Sequence, residues 1–425
     1  MRQFKKAFLL TTCTFFAATT VHLNSWAVDP NAFNSRLQET IKNTQLSIDS
    51  SNCEADGNDI VLRDVTIKLQ ELQNSGKEND QSLPSDKQSK ERDQNVSTAK
   101  GVIFDKIDSL RFKNVTEGQD GTYFIENVSI PLLKSTSSDA TGNLKDISID
   151  KLRLTPKKDA NPLFVQFPYE SVKVAQIYLA PSDQTVFNAE DLKIAYLFKN
   201  GTKGVDITVG IKSFSYEPNK TGISGASKWL TDIGYDKLSG SLNVHASWDI
   251  ESGKYIGDQN EITIDNGGKL AITTNVEGLT EDFVKNIGVL KQLERSNNPD
   301  DTTAEMLSVF GIIQQLKFGD VSIRYDDNSL TNRILDYYAK KNGVTREDFI
   351  KQTKAMLPLL GSQIDDPDFV KATSEQIGNF LDNPKSLTVS ATPDKSVPLP
   401  VLYATGSISM AKLIDLIKLK VEANK

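Results

Sequence analysis

The chain is short of the side chains on which most catalytic sites are built. It has two histidines, His22 and His245, and two cysteines, Cys13 and Cys53. So few ligands leave almost no room for a zinc site of the usual kind. His22 falls in an expected N-terminal leader, so a Ser-His-Asp triad would have to use His245, and no Gly-x-Ser-x-Gly elbow is present to serve it. Glycine-rich phosphate loops are missing as well. Gly222-Ile223-Ser224-Gly225 lacks the third glycine of a dinucleotide fingerprint and the Gly-Lys of a P-loop. Ser97-Thr98-Ala99-Lys100 and Lys220-Thr221-Gly222 match two motifs of penicillin-binding enzymes. No Ser-x-Asn lies between them, and Ser97 ends a polar run rather than opening a buried helix, so the match is coincidence. The composition points away from an enzyme and implies no cofactor.

Long apolar runs are also scarce. The one uncharged apolar stretch near the start, Ala7 to Val21, follows the basic Arg2, Lys5 and Lys6 and precedes Asn24-Ser25-Trp26-Ala27. That order of parts predicts a secretory signal peptide over residues 1–27, cleaved after Ala27. The stretch falls short of the roughly twenty apolar residues a bilayer span needs, and no later segment approaches that length. The expected mature chain is thus periplasmic, without a transmembrane span; the alternative keeps the leader as an anchor. Leu10-Thr11-Thr12-Cys13 loosely resembles a lipobox, but Thr12 stands where a small Gly, Ala or Ser is wanted. Without the leader, Cys53 is the only cysteine, which excludes an intramolecular disulfide and leaves it as a small buried hydrophobe or an intermolecular crosslink.

No block of one charge sign occurs. The whole chain carries a formal net charge of −7, and removing a leader with three basic and no acidic residues takes it to about −10. Interspersed charges with an acidic excess exclude the basic stripe of a nucleic-acid partner. They also exclude broad electrostatic docking on an anionic membrane.

A short phrase recurs throughout: an acidic or amide residue, an aliphatic, a small polar residue or Lys, then another aliphatic. It occurs as Asp64-Val65-Thr66-Ile67, Asn127-Val128-Ser129-Ile130, Asp146-Ile147-Ser148-Ile149, Asp191-Leu192-Lys193-Ile194, Asp206-Ile207-Thr208-Val209 and Asp320-Val321-Ser322-Ile323. Each phrase is a period-two segment with one apolar face, the pattern of a half-buried strand. Strands follow one another across turn chemistry such as Asn200-Gly201 and Asp265-Asn266-Gly267-Gly268, without intervening helices. The fold class that follows is α+β and β-rich: a large twisted antiparallel sheet of repeated hairpins, with a helical C-terminal third packed on it.

Five stretches are expected. Residues 1–27 form the leader, and 28–72 hold a helix over 30–50, opened by Asn31, and a first strand over 57–70. Residues 73–100 are too polar to pack and read as a disordered loop. Residues 101–278 carry the antiparallel β-rich region, with a short helix at 226–235. Residues 279–425 alternate helices with closing strands. Helices are expected at 330–341, 345–364 and 367–381, with two earlier ones opening at Thr280 and at Asp301 or Thr302. Strands are expected at 318–325, 386–391, 401–408 and 419–422, and a further helix at 411–416. Thr345 with Asp348 makes a variant capping box. The acidic clusters Asp326-Asp327 and Asp365-Asp366 with Asp368 precede helices, where carboxylates cap exposed amides rather than hold a metal. His245 alternates to the polar face of its strand with Asn243, Ser247 and Asp249.

The C-terminal stretch of about 100 residues carries a resemblance. Its runs Tyr325-Asp326-Asp327-Asn328-Ser329-Leu330-Thr331, Phe380-Leu381-Asp382-Asn383-Pro384-Lys385-Ser386-Leu387-Thr388-Val389, Pro398-Leu399-Pro400-Val401 and Leu416 to Asn424 resemble a group of exported alphaproteobacterial envelope proteins of unknown function. The repeated strands before it are similar in texture to AsmA-type proteins, whose sheets form long apolar grooves linked to lipid handling in the envelope. AsmA-type proteins usually keep an N-terminal transmembrane helix, from which a chain that loses its leader departs.

The resemblance implies a non-catalytic envelope protein that binds a lipid or another hydrophobic ligand along an apolar sheet face. Phe112, Phe124, Phe198, Phe214, Tyr216 and Trp248 are the candidate contacts, and simple core is the competing role for each. The alternative partner is an envelope protein, held by an exposed sheet edge or by the 73–100 loop, with no small ligand.

Overall fold

The six repeated phrases all fall inside strands, and those strands join one large sheet in which every pairing is antiparallel. The computed structural model describes residues 28–42, 44–69, 102–136, 140–156, 167–181, 187–199, 201, 203–218, 225–286, 309 and 311–425. The expected leader, the 73–100 loop, the Ser97–Lys100 and Lys220–Gly222 motifs and most of the helix expected from Asp301 lie outside the described residues.

The first helix, α1 (Pro30–Ile41), is capped by Asp29, whose carboxylate accepts from the Asn31 amide at 3.0 Å. Its expected cap was Asn31 and its expected end residue 50. The helix stops at Ile41, and strand β1 (Leu46–Asp49) follows, because Leu46 and Ile48 alternate with polar neighbours and pair with the far half of β3. Strands β2 (Asn52–Asp56) and β3 (Asp59–Leu69) form a hairpin across Gly57-Asn58, with Gly57 at φ 62°. β4 (Val102–Ile103), β5 (Ile107–Lys113) and β6 (Thr116–Glu117) come next.

A meander then runs without a break in neighbour order. Its strands are β7 (Tyr123–Thr136), β8 (Ala140–Leu154), β9 (Ser171–Pro181), β10 (Phe187–Lys199), β11 (Gly204–Tyr216), β12 (Leu238–Asp249), β13 (Lys254–Ile264), β14 (Gly268–Glu277) and β15 (Lys317–Asp327). At one end the sheet continues through β5 and β3 to β2. At the other it continues through β16 (Ser386–Ala391) to β18 (Leu419–Ala423), with β17 (Val397–Pro398) beside the start of β15.

Among the described residues helices are inserted at few points; between β14 and β15 residues 281–286 are helical, opening at Thr280 as expected, and so are 311–315. α2 (Gly225–Asp232) lies between β11 and β12. α3 (Leu330–Lys341), α4 (Arg346–Leu360) and α5 (Pro367–Asp382) form the excursion between β15 and β16, and α6 (Leu399–Ile408) and α7 (Met410–Ile417) separate β17 from β18. A strand was expected at 401–408. Pro398 and Pro400 fix the backbone for a first helical turn and give up amides that a helix start leaves unpaired, so the segment opens as a helix instead.

Unlike at α1, the caps expected in the C-terminal third are present, although the Asp348 carboxylate accepts from the Thr345 hydroxyl at 2.7 Å in place of the backbone amide of a full capping box. Thr345 Oγ1 accepts from the Asp348 amide at 3.1 Å, and Asp366 caps α5 through the Phe369 amide at 2.9 Å. Asp327 accepts from the amides of Ser329 and Thr331 at 3.0 and 2.8 Å at the start of α3.

The main core sits under α1. Phe33, Leu37 and Ile41 repeat at helical spacing and are all buried. Phe33 meets Phe112 edge-on at 5.0 Å and Tyr123 at 5.4 Å, over a floor that includes Ile60, Leu62, Leu110, Ile125 and Val128. Each such side chain stabilises the fold by about 1.5–3 kcal/mol. Cys53 packs half-buried beside this core, its thiol donating to the Pro30 carbonyl at 3.2 Å; burial first, then Asp29 and Glu54, raises its pKa. At the far end α5 approaches the sheet, where Phe380 meets Tyr325 at 6.3 Å and Gln376 accepts from the edge amide of Ala423 at 2.9 Å.

Candidate ligand-binding face

Register places the apolar residues of successive strands in continuous rows across the inward face. One row runs Ile130, Ile147, Val174, Leu192, Ile211, Leu242, Ile262, Leu270, Tyr325 and Leu387. Its neighbour runs Phe112, Val128, Ile149, Val172, Ile194, Val209, Val244, Asn260, Ile272, Ile323, Val389 and Val421. Asn260 is the polar member, and its amide donates to the Ile272 carbonyl at 2.9 Å. Toward one rim follow Tyr196, Ile207 and Ala246, then Phe198, Val205, Trp248, Tyr255, Val276, Phe318 and Val397. Toward the other rim lie Leu144, Ile177, Ala189, Phe214, Gly240 and Ile264.

The outward face is polar in the same register. It carries cross-strand ion pairs, among them Lys199–Asp206 at 2.5 Å, Lys269–Glu261 at 3.3 Å and Lys212–Asp191 at 3.3 Å. Asp150 sits in a hydrogen-bonded cluster with Asn127 and Ser171. The Ser171 hydroxyl, donating at 2.6 Å, holds its carboxyl below the usual carboxylate range. His245 is on this face, as expected, with Nδ1 2.5 Å from Asp258, the residue at which the β12–β13 register shifts.

Left-handed residues keep the rows continuous. Asp64, Asp146, Lys151 and Asp191 lie at φ 54°, 50°, 54° and 51°. Pairing skips each of them and resumes in the same register, and the inward set jumps three residues: Leu144 to Ile147, Ile149 to Leu152, Ala189 to Leu192. Three of these residues are the first letter of a repeated phrase. Asp tolerates the left-handed region better than most side chains, which explains the residue type at that position. The kinks bend the strands locally, as bulges do.

Cover over the inward face is uneven. Under α1 the inward side chains are almost fully buried, whereas from β10 onward most are only partly so. Leu179, Ile262 and Ile323 are 46 %, 37 % and 41 % exposed. A second, smaller cluster closes one rim: Phe167 packs on Tyr196, Phe198 and Trp248 at 4.7, 6.3 and 6.1 Å, and Trp248 Nε1 donates to the Leu279 carbonyl at 2.7 Å. Beside it Tyr169 lies 5.4 Å from Tyr196, and burial pushes its pKa up to about 12.

The six candidate aromatics are not brought together. Phe112 is core beneath α1, and Phe124 points to the outward face between the buried Tyr123 and Ile125. Strand alternation accounts for both: Phe124 follows an inward residue, and Phe112 lies where the helix covers the sheet. Phe198 and Trp248 share the closed rim. Phe214 and Tyr216 lie at the opposite rim, where the Phe214 ring covers Gly240; a Cβ there would stand 1.9 Å from the Thr263 carbonyl oxygen. The residues that fill the middle of the face are aliphatic. They were visible in the sequence, because every apolar residue of the six phrases turns inward.

Among the described residues, no group of three or more His, Cys, Asp or Glu side chains is arranged to hold a metal, and no helix is long and apolar enough to cross a membrane. A protein-family profile described only as an uncharacterized protein matches residues 261–424, less than half of the chain. No curated protein matches it. The matched part begins in β13 and takes in the far end of the sheet with α3 to α7, and thus leaves out the closed core under α1.

Proposed function

We propose that the protein is a non-catalytic envelope protein that holds the acyl part of a lipid, or another hydrophobic ligand, along the inward face of β9–β16. One observation carries this reading: two aliphatic rows, broken only by Asn260 between β12 and β14, cross the middle of the sheet, while the helical cover of the described residues gathers at its ends. An uncovered aliphatic face costs free energy in water at roughly 25 cal/mol per Å², and a flexible apolar ligand offsets that cost without directional contacts. The outward ion pairs support the same polarity, since they leave water on one side of the sheet. A scaffold acting through a bare sheet edge has less support. The Ala423 edge amide is occupied by Gln376, and β2 at the other edge is five residues long.

Native mass spectrometry of the protein isolated without detergent, followed by solvent extraction, tests the reading. A non-covalent lipid adduct is expected, and it should disappear from an Ile262→Glu, Ile323→Glu double variant whose unfolding transition is kept. These two positions already face solvent, so the charges do not have to be buried. A protein mass that stays bare when phospholipid is offered, or an adduct the double variant retains, would overturn it.

A further inference from the structure

Helix α6 is apolar on every side and yet buries no residue. A helix of that composition is normally found inside a core or in an apolar phase. Tyr403 and Ile408 are 80 % and 77 % exposed, and Val401 and Met410 are exposed beside them. From Ser396 to Ala411 the chain carries no charge, and the exposed Lys395 and Lys412 bracket the run. Lys418 nearby is engaged by Asp394, whereas Lys395 and Lys412 have no ion pair among the described residues. Two unengaged cations at the ends of an exposed apolar helix complement an anionic surface with an apolar interior, as a local contact rather than the broad electrostatic docking that a net charge of −7 excludes.

We propose that α6 is a membrane-surface contact, immersed at the headgroup–acyl boundary of a bilayer that contains anionic phospholipid, with Val401 and Ile408 on one side of the helix, Tyr403 on the other, and Lys395 and Lys412 on the headgroups. Ten residues of helix measure about 15 Å, half of a hydrocarbon core of about 30 Å, so α6 enters one leaflet and does not span. An aromatic hydroxyl side chain such as Tyr403 suits that boundary. The position in the fold gives the contact a purpose. α6 follows directly from β17, whose Val397 ends the row running from Phe198 through Trp248 and Phe318, and the Leu399 amide donates to the Leu316 carbonyl at 3.0 Å. A bilayer at α6 therefore lies against the rim of the inward face. The contact serves the ligand-binding reading but does not rest on it, since α6 is uncovered whatever the sheet holds.

Co-sedimentation of the full chain with vesicles of phosphatidylcholine and phosphatidylglycerol, compared with phosphatidylcholine alone, tests it against a Tyr403→Glu, Ile408→Glu variant. The expected result is binding that falls about tenfold or more in this variant. A Lys395→Gln, Lys412→Gln variant should lose several-fold on the anionic vesicles and little on the neutral ones. Both pairs are surface positions, and a preserved thermal transition confirms the fold. Equal sedimentation of wild type and the glutamate variant, or none by either, overturns the proposal. A dimer mass that the glutamate variant abolishes would assign α6 to a second copy and overturn it too. Lipid extracted from the same samples keeps the two readings apart. Vesicle binding without co-purified lipid sinks only the groove, and co-purified lipid without vesicle binding sinks only the contact.

Discussion

One end of the sheet and its middle use the same kind of inward side chain and differ in what lies over it. Leu62, Phe112, Ile125 and Val128 are nearly inaccessible beneath α1, whereas Ile194, Val209, Ile262 and Ile323, in the same pattern and partly in the same row, remain in reach of solvent. Strand pattern decides which residues share a face; it does not decide whether that face is sealed. Sealing comes from one helix with a stripe of Phe33, Leu37 and Ile41, and no described helix carries such a stripe over the middle.

Matched truncations put the comparison to its hardest test. Phe33→Ala removes the ring that touches both Phe112 and Tyr123 and should cost about 3–5 kcal/mol. Ile194→Ala, on the open face, should cost about 1–2 kcal/mol, because less of the side chain leaves water on folding. Urea unfolding of both variants reads the difference. Equal costs would mean that the middle is as closed as the end, and the ligand-binding reading would lose its ground.

A smaller effect isolates the kinks that keep the rows in line. Asp146 holds φ 50°, so Asp146→Ala should destabilise by about 1 kcal/mol, while Asp146→Gly should be neutral or slightly stabilising. If alanine and glycine behave alike in thermal unfolding, the left-handed turn is not what the position selects.

Much of this was legible in the chain. The alternation in the six phrases located strands and, through their second and fourth letters, the inward rows themselves. Aromatic side chains were the poorer guide: Phe124 looks like a contact in isolation, but its place after an inward tyrosine turns it outward. The kinks were hidden because an Asp in a left-handed turn and an Asp on a polar strand face are the same letter. Val401-Leu402-Tyr403 looks like a strand by side-chain preference, and only Pro398 and Pro400 argue otherwise. Cover could not be read at all, since the packing of α1 on strands tens of residues away is a tertiary outcome that no local pattern encodes.

Acid should loosen the two ends differently. α1 is anchored by its buried stripe, while the start of α3 is anchored by the carboxylate of Asp327, which takes the amides of Ser329 and Thr331 and the hydroxyl of Tyr325 at 2.7 Å. Burial raises the pKa of that carboxyl, but the hydrogen bonds from the Thr331 amide, the Tyr325 hydroxyl, the Thr331 hydroxyl and the Ser329 amide together outweigh it, and the group stays below the usual carboxylate range. A carboxyl depressed in the folded state stabilises it above the unfolded value, about 3.9, and loses that contribution as pH falls through the folded value. Asp327→Asn should therefore cost about 1 kcal/mol at pH 7, and the gap to wild type should close as pH drops below about 4. A gap that ignores pH would show that the amide serves as well as the carboxylate, and that the far end of the sheet is held by packing, as the near end is.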